Sequence, residues 1–174
     1  PSVVNYPIPV PVSSPVIYVS PSPTPDETAN WKIYTNTKYS FTIEYPSNMI
    51  LGSEPAAPDP ELLSSRSIQT KEKDLLSVVV DVRSIPTASL IASTEAFAGV
   101  QSNLISVNKR PAYKIEWVQK NREIEPIDLY NQQIFINYKG LSYIISAYFD
   151  NKSPNKTSFL NTFDQILSTF KFLQ

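Results

Sequence analysis

The residues that decide the fold lie in two runs, AYKIEWVQ (112–119) and QQIFINYKGLSYIISAYFD (132–150). In the first run apolar residues alternate with charged ones, which is the period-2 pattern of a strand with one buried face. The apolar positions are Tyr113, Ile115 and Trp117. In the second run Lys139-Gly140 separates two segments of β-branched and aromatic residues, so a tight hairpin turn is predicted there. The stretch from Ala112 to Phe149 therefore predicts the spine of an antiparallel sheet.

Length and composition limit the classes of protein. The 174 residues suffice for one ordinary domain with an appendage. The net charge of -1 contains no block of like charge, so we expect no nucleic-acid partner. There is no cysteine, which is compatible with an oxidising exterior. The sequence has no run of about 20 apolar residues, so no transmembrane helix is predicted. The chain starts at Pro1, and we expect that a leader, with any membrane or wall anchor, was removed or trimmed.

A composition boundary predicts an extended proline-rich arm or linker over residues 1–29 and a globular domain over residues 30–174. Residues 1–25 contain eight of the sixteen prolines and no charged side chain. Because proline fixes φ and lacks an amide hydrogen, PIPVPV (7–12) predicts polyproline II or an edge strand. A solvated spacer would leave the arm's apolar side chains exposed. Those that we assign to binding another subunit are Tyr6, Ile8, Val10, Val12, Val16, Ile17, Tyr18 and Val19.

Three roles for this arm stay open. PSPTPDET (21–28) has the composition of a flexible linker, which favours a spacer. The apolar residues before it favour an arm that lies on a protein surface, either its own domain or a neighbouring copy. A contact with a neighbour would be head-to-tail, and it would propagate into a fibre unless rotation closed it into a ring.

The globular part opens with NWKIYTNTKYSFTIEYPSNM (30–49), which predicts a hairpin of two short strands. We place the break between the strands at 35–37, and Pro46 begins the turn that ends the second strand. The alternating apolar positions are Trp31, Ile33, Tyr39, Phe41, Ile43 and Tyr45.

This opening resembles the PsbP-like fold family, in particular bacterial surface domains that follow a Pro-rich stem and begin with a run of the type W..Y.N..YGFS..YP..W. The matching residues are Trp31, Tyr34, Asn36, Tyr39, Phe41, Tyr45 and Pro46. Ser40 stands where the family often has glycine, and Met49 stands near its second tryptophan. The resemblance covers about residues 30–172. It implies an α/β/α sandwich and a binding or assembly module rather than an enzyme.

The rest of the domain predicts the same α+β fold, an antiparallel sheet with helices on both faces. Residues 51–66 predict a loop, and Leu76 to Val82 predict a central strand that is covered on both sides. Helices are predicted over 87–104, with Thr87 as N-cap, and over 158–173. The apolar positions are Leu90, Ile91, Thr94, Phe97 and Ala98 in the first helix and Phe159, Leu160, Phe163, Ile166, Leu167 and Phe170 in the second.

Few catalytic groups are available. The chain has neither histidine nor cysteine, which removes the commonest general base, metal ligands and activated nucleophiles. Its only glycines, Gly52, Gly99 and Gly140, are too far apart for a phosphate-binding loop. We therefore expect no catalytic residue and no cofactor.

Carboxylates and loop oxygens are the remaining candidates for chemistry. Glu123, Glu125 and Asp128 could supply a glycosidase pair, but a solvated turn between strands is the favoured interpretation. The loop Asp150–Ser153 offers oxygen ligands, but it lacks the carboxylate ladder of a calcium site, and we expect no metal. Two sequons, at Asn151 and Asn155, predict glycosylation sites and favour an extracellular location.

Two functions from different classes follow. The first is a non-catalytic, extracellular or cell-surface structural protein, a fibre subunit whose arm docks on a neighbouring copy. The alternative is a monomeric, surface-anchored binding domain on a flexible stem. A carboxylate enzyme is a distant third.

Overall fold

The computed structural model describes residues 28–52, 59–71, 76–120 and 128–174. Glu123, Glu125 and every arm residue assigned to subunit binding lie outside the described residues. The described elements, in chain order, are β1 (Lys32–Asn36), β2 (Phe41–Tyr45), β3 (Met49–Leu51), β4 (Leu62–Thr70), β5 (Ser77–Arg83), α1 (Thr87–Ala98), β6 (Asn103–Val107), β7 (Arg110–Lys120), β8 (Asp128–Tyr138), β9 (Leu141–Asp150), α2 (Lys156–Thr169) and β10 (Lys171–Phe172).

A seven-stranded antiparallel sheet forms the middle layer, in the order β3-β4-β5-β9-β8-β7-β6. The predicted spine is confirmed, since β7, β8 and β9 are consecutive neighbours in it. The turn between β8 and β9 is the predicted pair, with φ of 50° at Lys139 and 78° at Gly140. Positive φ at both positions is the type I′ geometry that matches the twist of the flanking strands.

A second, three-stranded sheet has the order β1-β2-β10. The opening hairpin is confirmed, but its turn lies at residues 37–40 and not at 35–37. The prediction that Ile33 belongs to the buried alternation was wrong, because its side chain is 65% exposed. On β1 it is Tyr34 and Asn36 that point inward, since Asn36 is buried and Tyr34 packs against the core.

Each helix covers one face of the large sheet. The buried α2 residues join the main core, which also contains the buried valines of β5. On the opposite face, Leu90 and Ile91 of α1 pack against a smaller core. That smaller core contains Ile115, Phe135 and Ile144. The predicted α/β/α arrangement is therefore confirmed, and each large apolar side chain that it buries contributes about 1.5–3 kcal/mol.

Two predicted element boundaries were wrong. The loop predicted over 51–66 contains the end of β3 and the first residues of β4. Its prolines lie between these strands, and the serine-rich start of β4 carries no strong strand signal. The second helix ends at Thr169, because Phe170 adopts extended backbone and leads directly into β10.

The first helix also differs from its prediction. It ends at Ala98, since Gly99 takes φ of 68°, and the residues that follow enter β6. Thr87 is the first helical residue and not the N-cap, which is Pro86. The Thr87 hydroxyl lies 2.7 Å from that of Ser142. Phe97 is 69% exposed and does not belong to the core. Neither described helix is long and apolar enough to cross a membrane.

Candidate binding surfaces

The residues of the opening motif hold the hairpin turn together. The Asn36 side-chain carbonyl accepts a hydrogen bond from the amide of Tyr39 at 3.0 Å. Its amide nitrogen donates to the hydroxyls of Tyr34 and Ser64, both at 3.2 Å. Because Asn36 is buried, these bonds satisfy an otherwise costly polar group and tie the hairpin to β4. These motif residues therefore stabilise the opening hairpin and its contact with β4.

Ser40 completes the turn in an unusual conformation. Its φ is 53°, in the left-handed region that favours glycine, and its carbonyl accepts a hydrogen bond from the amide of Leu173 at 2.8 Å. The glycine that the PsbP-like pattern often has here is thus explained by backbone geometry. The side chain of Met49, near the pattern's second tryptophan, is buried in the main core.

An aromatic cluster joins the two sheets. The rings of Tyr138 and Phe172 stack with centroids 3.9 Å apart, and Phe172 meets Tyr143 edge to face at 4.8 Å. The guanidinium of Arg110 lies over both stacked rings, 4.6 Å from the Tyr138 centroid. Nearby, the Asn108 side chain donates to the backbone carbonyl of Phe170. These contacts fix β10 against the domain.

One tyrosine lies beside a carboxylate. The Tyr130 hydroxyl donates to Glu116 at 3.0 Å, and the Lys114 ammonium lies 3.3 Å from the same carboxylate oxygen. Burial, and then the negative charge of Glu116, raise the pKa of Tyr130 well above its ordinary value. The Tyr130 phenol is therefore held in its protonated form more firmly than an exposed tyrosine. The cluster is thus a structural ion pair with a hydrogen-bonded phenol.

Of the carboxylates and loop oxygens singled out in the sequence, the structure describes Asp128 and the loop Asp150–Ser153. Asp128 lies 3.6 Å from the ammonium of Lys152, in an ordinary ion pair. The Asp150 carboxylate accepts the amide of Lys152 at 2.9 Å. Among the described residues, no three acidic side chains cluster as they would in a metal site. Of the sequon residues, Asn155 is exposed and Asn151 is half-buried, with its carbonyl accepting a hydrogen bond from Lys156 at 2.7 Å. Glycosylation of either stays a prediction.

A cavity of about 330 Å³ opens at the N-terminal end of α2. This volume is at the lower end of the range for small-molecule pockets. Its apolar wall is formed by Met49, Leu76 and Phe159, and Lys71 is the charged side chain among its described lining residues. Ser158 and Thr162, one helical turn apart, add hydroxyls. Sequence reasoning missed this cavity, because its walls come from four separate parts of the chain.

The outer edge of β6 is a second candidate surface. β6 is the last strand of the large sheet, and no described strand pairs with its other side. Leu104 on β6 is 46% exposed, and its cross-strand partner Tyr113 is 41% exposed. Both side chains lie on the sheet face that α1 covers only in part. We call the free edge of β6 together with Leu104 and Tyr113 the β6 edge surface.

Comparisons with known proteins support the fold. No protein-family model matches the chain, and no curated protein matches it in sequence. Three solved structures are similar: a protein of Bacteroides thetaiotaomicron (TM-score 0.60, 8% identity), cyanobacterial PsbP from Synechocystis sp. PCC 6803 (0.56, 14%) and LpqN, involved in cell envelope biogenesis of Mycobacterium tuberculosis (0.52, 12%). The matches cover 83%, 83% and 88% of this chain. They span about half (49%) of the Bacteroides protein, 93% of PsbP and 99% of LpqN. The chain has a PsbP-like fold, as its opening hairpin predicts.

Proposed function

We propose that this chain is a non-catalytic domain of the cell envelope or cell exterior that assembles with copies of itself through its N-terminal arm. The location is favoured by the lack of cysteine and by the fold shared with LpqN, which is involved in envelope biogenesis. The non-catalytic role is favoured by the absence of histidine and cysteine and by the structural roles of Tyr130 and Asp128. The role in assembly is the more specific part of the proposal, and it rests on the N-terminal arm.

The observation that carries assembly is the chemistry of residues 1–25. Ten apolar side chains occur there without a single charge, so their exposure to water would be unfavourable. The described domain already has a main core of its own, which includes Phe41, Ile145 and Phe163. The arm is therefore not required to complete this core, and its apolar side chains can bind an exposed apolar surface on a second copy. Since proline restricts the unbound arm, docking costs less conformational entropy than docking a flexible peptide.

The test is sedimentation velocity of the full chain over a wide range of concentration. We expect oligomers or fibres from the full chain and monomers from a variant with Ile8, Val10, Ile17 and Val19 replaced by serine. A matched control replaces four polar arm residues, Ser13, Ser14, Ser20 and Ser22, by alanine and should still assemble. Added salt should change assembly little, because the arm has no charged side chain. A full chain that is monomeric at every concentration would overturn the proposal.

The alternative function, a monomeric binding domain on a surface stem, is favoured by one specific observation. The cavity at the start of α2 has both an apolar wall and a cation, Lys71, which suits a small carboxylate with a short apolar tail. NMR titration with hexanoate should then shift the amides of Ser158 and Thr162 in a saturable way, whereas hexylamine should not. Equal responses to both compounds, or none, would rule out this ligand class.

A further inference from the structure

β6 differs from the other edge strands in what it offers to a partner. Natural sheet edges are blunted by short length, by charged residues or by proline. Within the described residues, β3 has three residues, β10 has two, and β1 begins with Lys32. β6 has five residues, NLISV, with neither a charge nor a proline. It is therefore the least protected of these four edges.

The pairing of β6 with β7 fixes which of its residues face outward. The two strands join through Asn108 and Lys109, whose φ values of 47° and 65° define a two-residue turn. The residues that flank such a turn form a hydrogen-bonded pair, and hydrogen-bonded and non-hydrogen-bonded pairs then alternate. Ser106 consequently falls in a non-hydrogen-bonded pair, which agrees with its partner, Pro111, having no amide hydrogen. Leu104 and Ser106 thus direct their backbone N–H and C=O groups to the free edge.

The arm has the complementary pattern. In PIPVPV, prolines at 7, 9 and 11 alternate with Ile8, Val10 and Val12. In an extended strand, alternate residues direct their backbone groups to the same side, so the amides of Ile8, Val10 and Val12 would all face one neighbour. The prolines would face the other way, where no donor is needed. This segment can pair through one edge only, and it cannot template a further strand on its other edge.

We infer that the β6 edge surface of one copy accepts residues 7–12 of a second copy as an added strand. This inference rests on the proposed function and names the acceptor surface within it. In an antiparallel addition, residues opposite Leu104 and Ser106 place their side chains on the same sheet face as Leu104. The apolar side chains of Ile8, Val10 and Val12 then lie beside Leu104 and continue the apolar row formed by Tyr113 and Leu104 outward across the added strand. The hydrogen-bonding positions and the apolar side chains of the arm therefore fit the same edge at the same time.

The arm is long enough for this exchange. Fifteen residues, and so sixteen residue-to-residue steps, separate Val12 from Thr28, the first described residue. At about 3.1 Å per residue in polyproline II, they span up to about 50 Å. That distance exceeds the diameter of a domain of this size, so the arm can reach a neighbouring copy.

Two pairs of matched variants of the full chain test the inference by sedimentation velocity. Leu104→Lys places a charge on the acceptor edge and should lose every species larger than the monomer. Val118→Lys, at an apolar β7 residue that is 40% exposed and lies on the other sheet face, should assemble as the natural chain does. Val10→Pro removes an amide that faces β6 and should weaken self-association at least tenfold, whereas Pro9→Val should not weaken it. Circular dichroism melting checks that each variant is folded.

A cross-link locates the contact directly. Because the chain has no cysteine, Leu104→Cys can be labelled at a single site with benzophenone maleimide. Irradiation should give dimers whose cross-linked peptide contains residues 7–12, and Val118→Cys should give none. Cross-links to the arm at the mass of a monomer would mean that the arm folds back on its own domain, which overturns the inference.

The outcomes separate the two proposals. A natural chain that never self-associates overturns the proposed assembly function and this inference with it. A chain that assembles equally well with Leu104→Lys, and that gives no cross-link to residues 7–12, keeps assembly but overturns the β6 edge as the acceptor.

Discussion

The Tyr143 hydroxyl donates a hydrogen bond to the backbone carbonyl of Tyr39 at 2.8 Å, and so joins the central strand of the large sheet to the turn of the opening hairpin. Tyr143 is almost fully buried, and its pKa is raised, mainly by burial. Removing the hydroxyl would leave a carbonyl without its partner. We expect Tyr143→Phe to lower the free energy of unfolding by about 1–2 kcal/mol, measured by urea denaturation. Tyr113→Phe, at an exposed tyrosine, should change it far less, and equal effects would contradict this role.

Replacing Ser40 by glycine, the residue that the PsbP-like pattern often has at this position, should stabilise the fold. A side chain at positive φ is strained, and glycine relieves the strain. We expect Ser40→Gly to raise the free energy of unfolding by up to about 1 kcal/mol and Ser40→Val to lower it, because a β-branched residue disfavours positive φ strongly. Thermal unfolding of the two variants beside the natural chain measures both. A gain with valine would show that the turn does not have this geometry.

The parts of the fold that could be predicted are those with a local signal. The central antiparallel strands could be predicted from the strict alternation around Ile115 and from the turn pair Lys139-Gly140. Both signals are local, because strand period and turn conformation depend on neighbouring residues alone. The start of β4 carries no apolar alternation, because polar serines stand there even at the buried position Ser64. The first helix is shorter than predicted because Gly99, in the left-handed region, ends it.

The candidate surfaces could not be predicted from local signals. The lining of the α2 cavity includes both Lys71 and Thr162, which are far apart in sequence. β6 lies at an edge because of the strand order of the sheet, and that order cannot be read from the sequence of any one strand. The arm residues, in contrast, were singled out by composition, and their role stays a prediction because they lie outside the described residues.

A buried carboxylate on β5 should give the stability a pH dependence. Burial raises the pKa of Asp81 despite opposing contributions from Ser65 and Arg83, and no described residue donates to its Oδ1. Since the folded-state pKa lies above the ordinary 3.8, the folded chain favours the neutral acid. The contribution of Asp81 is therefore most favourable below pH 3.8 and is lost as pH rises through the folded-state pKa.

Asp81→Asn removes this penalty. We expect the variant to unfold with a higher free energy than the natural chain at pH 7 and with little difference at pH 3, measured by urea denaturation at both values. A variant that is less stable at pH 7 would mean that the Asp81 carboxylate is stabilised in the fold.

The buried face of α2 is tested by comparing two residues of the helix that lie two positions apart. Phe163 is fully buried and Asn161 is exposed, as the apolar spacing predicts. Phe163→Ala should lower the free energy of unfolding by about 3–5 kcal/mol, the usual cost of removing a buried ring and leaving a cavity. Asn161→Ala should cost little. Similar costs for the two would mean that the aromatic stripe is a partner site rather than core.

The last prediction separates folding from assembly. The first described strand begins at Lys32, and both cores are formed by residues that follow it. Deleting residues 1–25 should therefore leave one cooperative thermal transition, with Tm within about 3 °C of the monomeric natural chain, which corresponds to about 1 kcal/mol at this size. The urea dependence should also stay the same, because the surface exposed on unfolding is unchanged. Loss of the cooperative transition would show that the arm completes the core of its own domain. An arm that is needed for its own fold is not free to dock on a neighbour, so that result would also argue against arm exchange between copies.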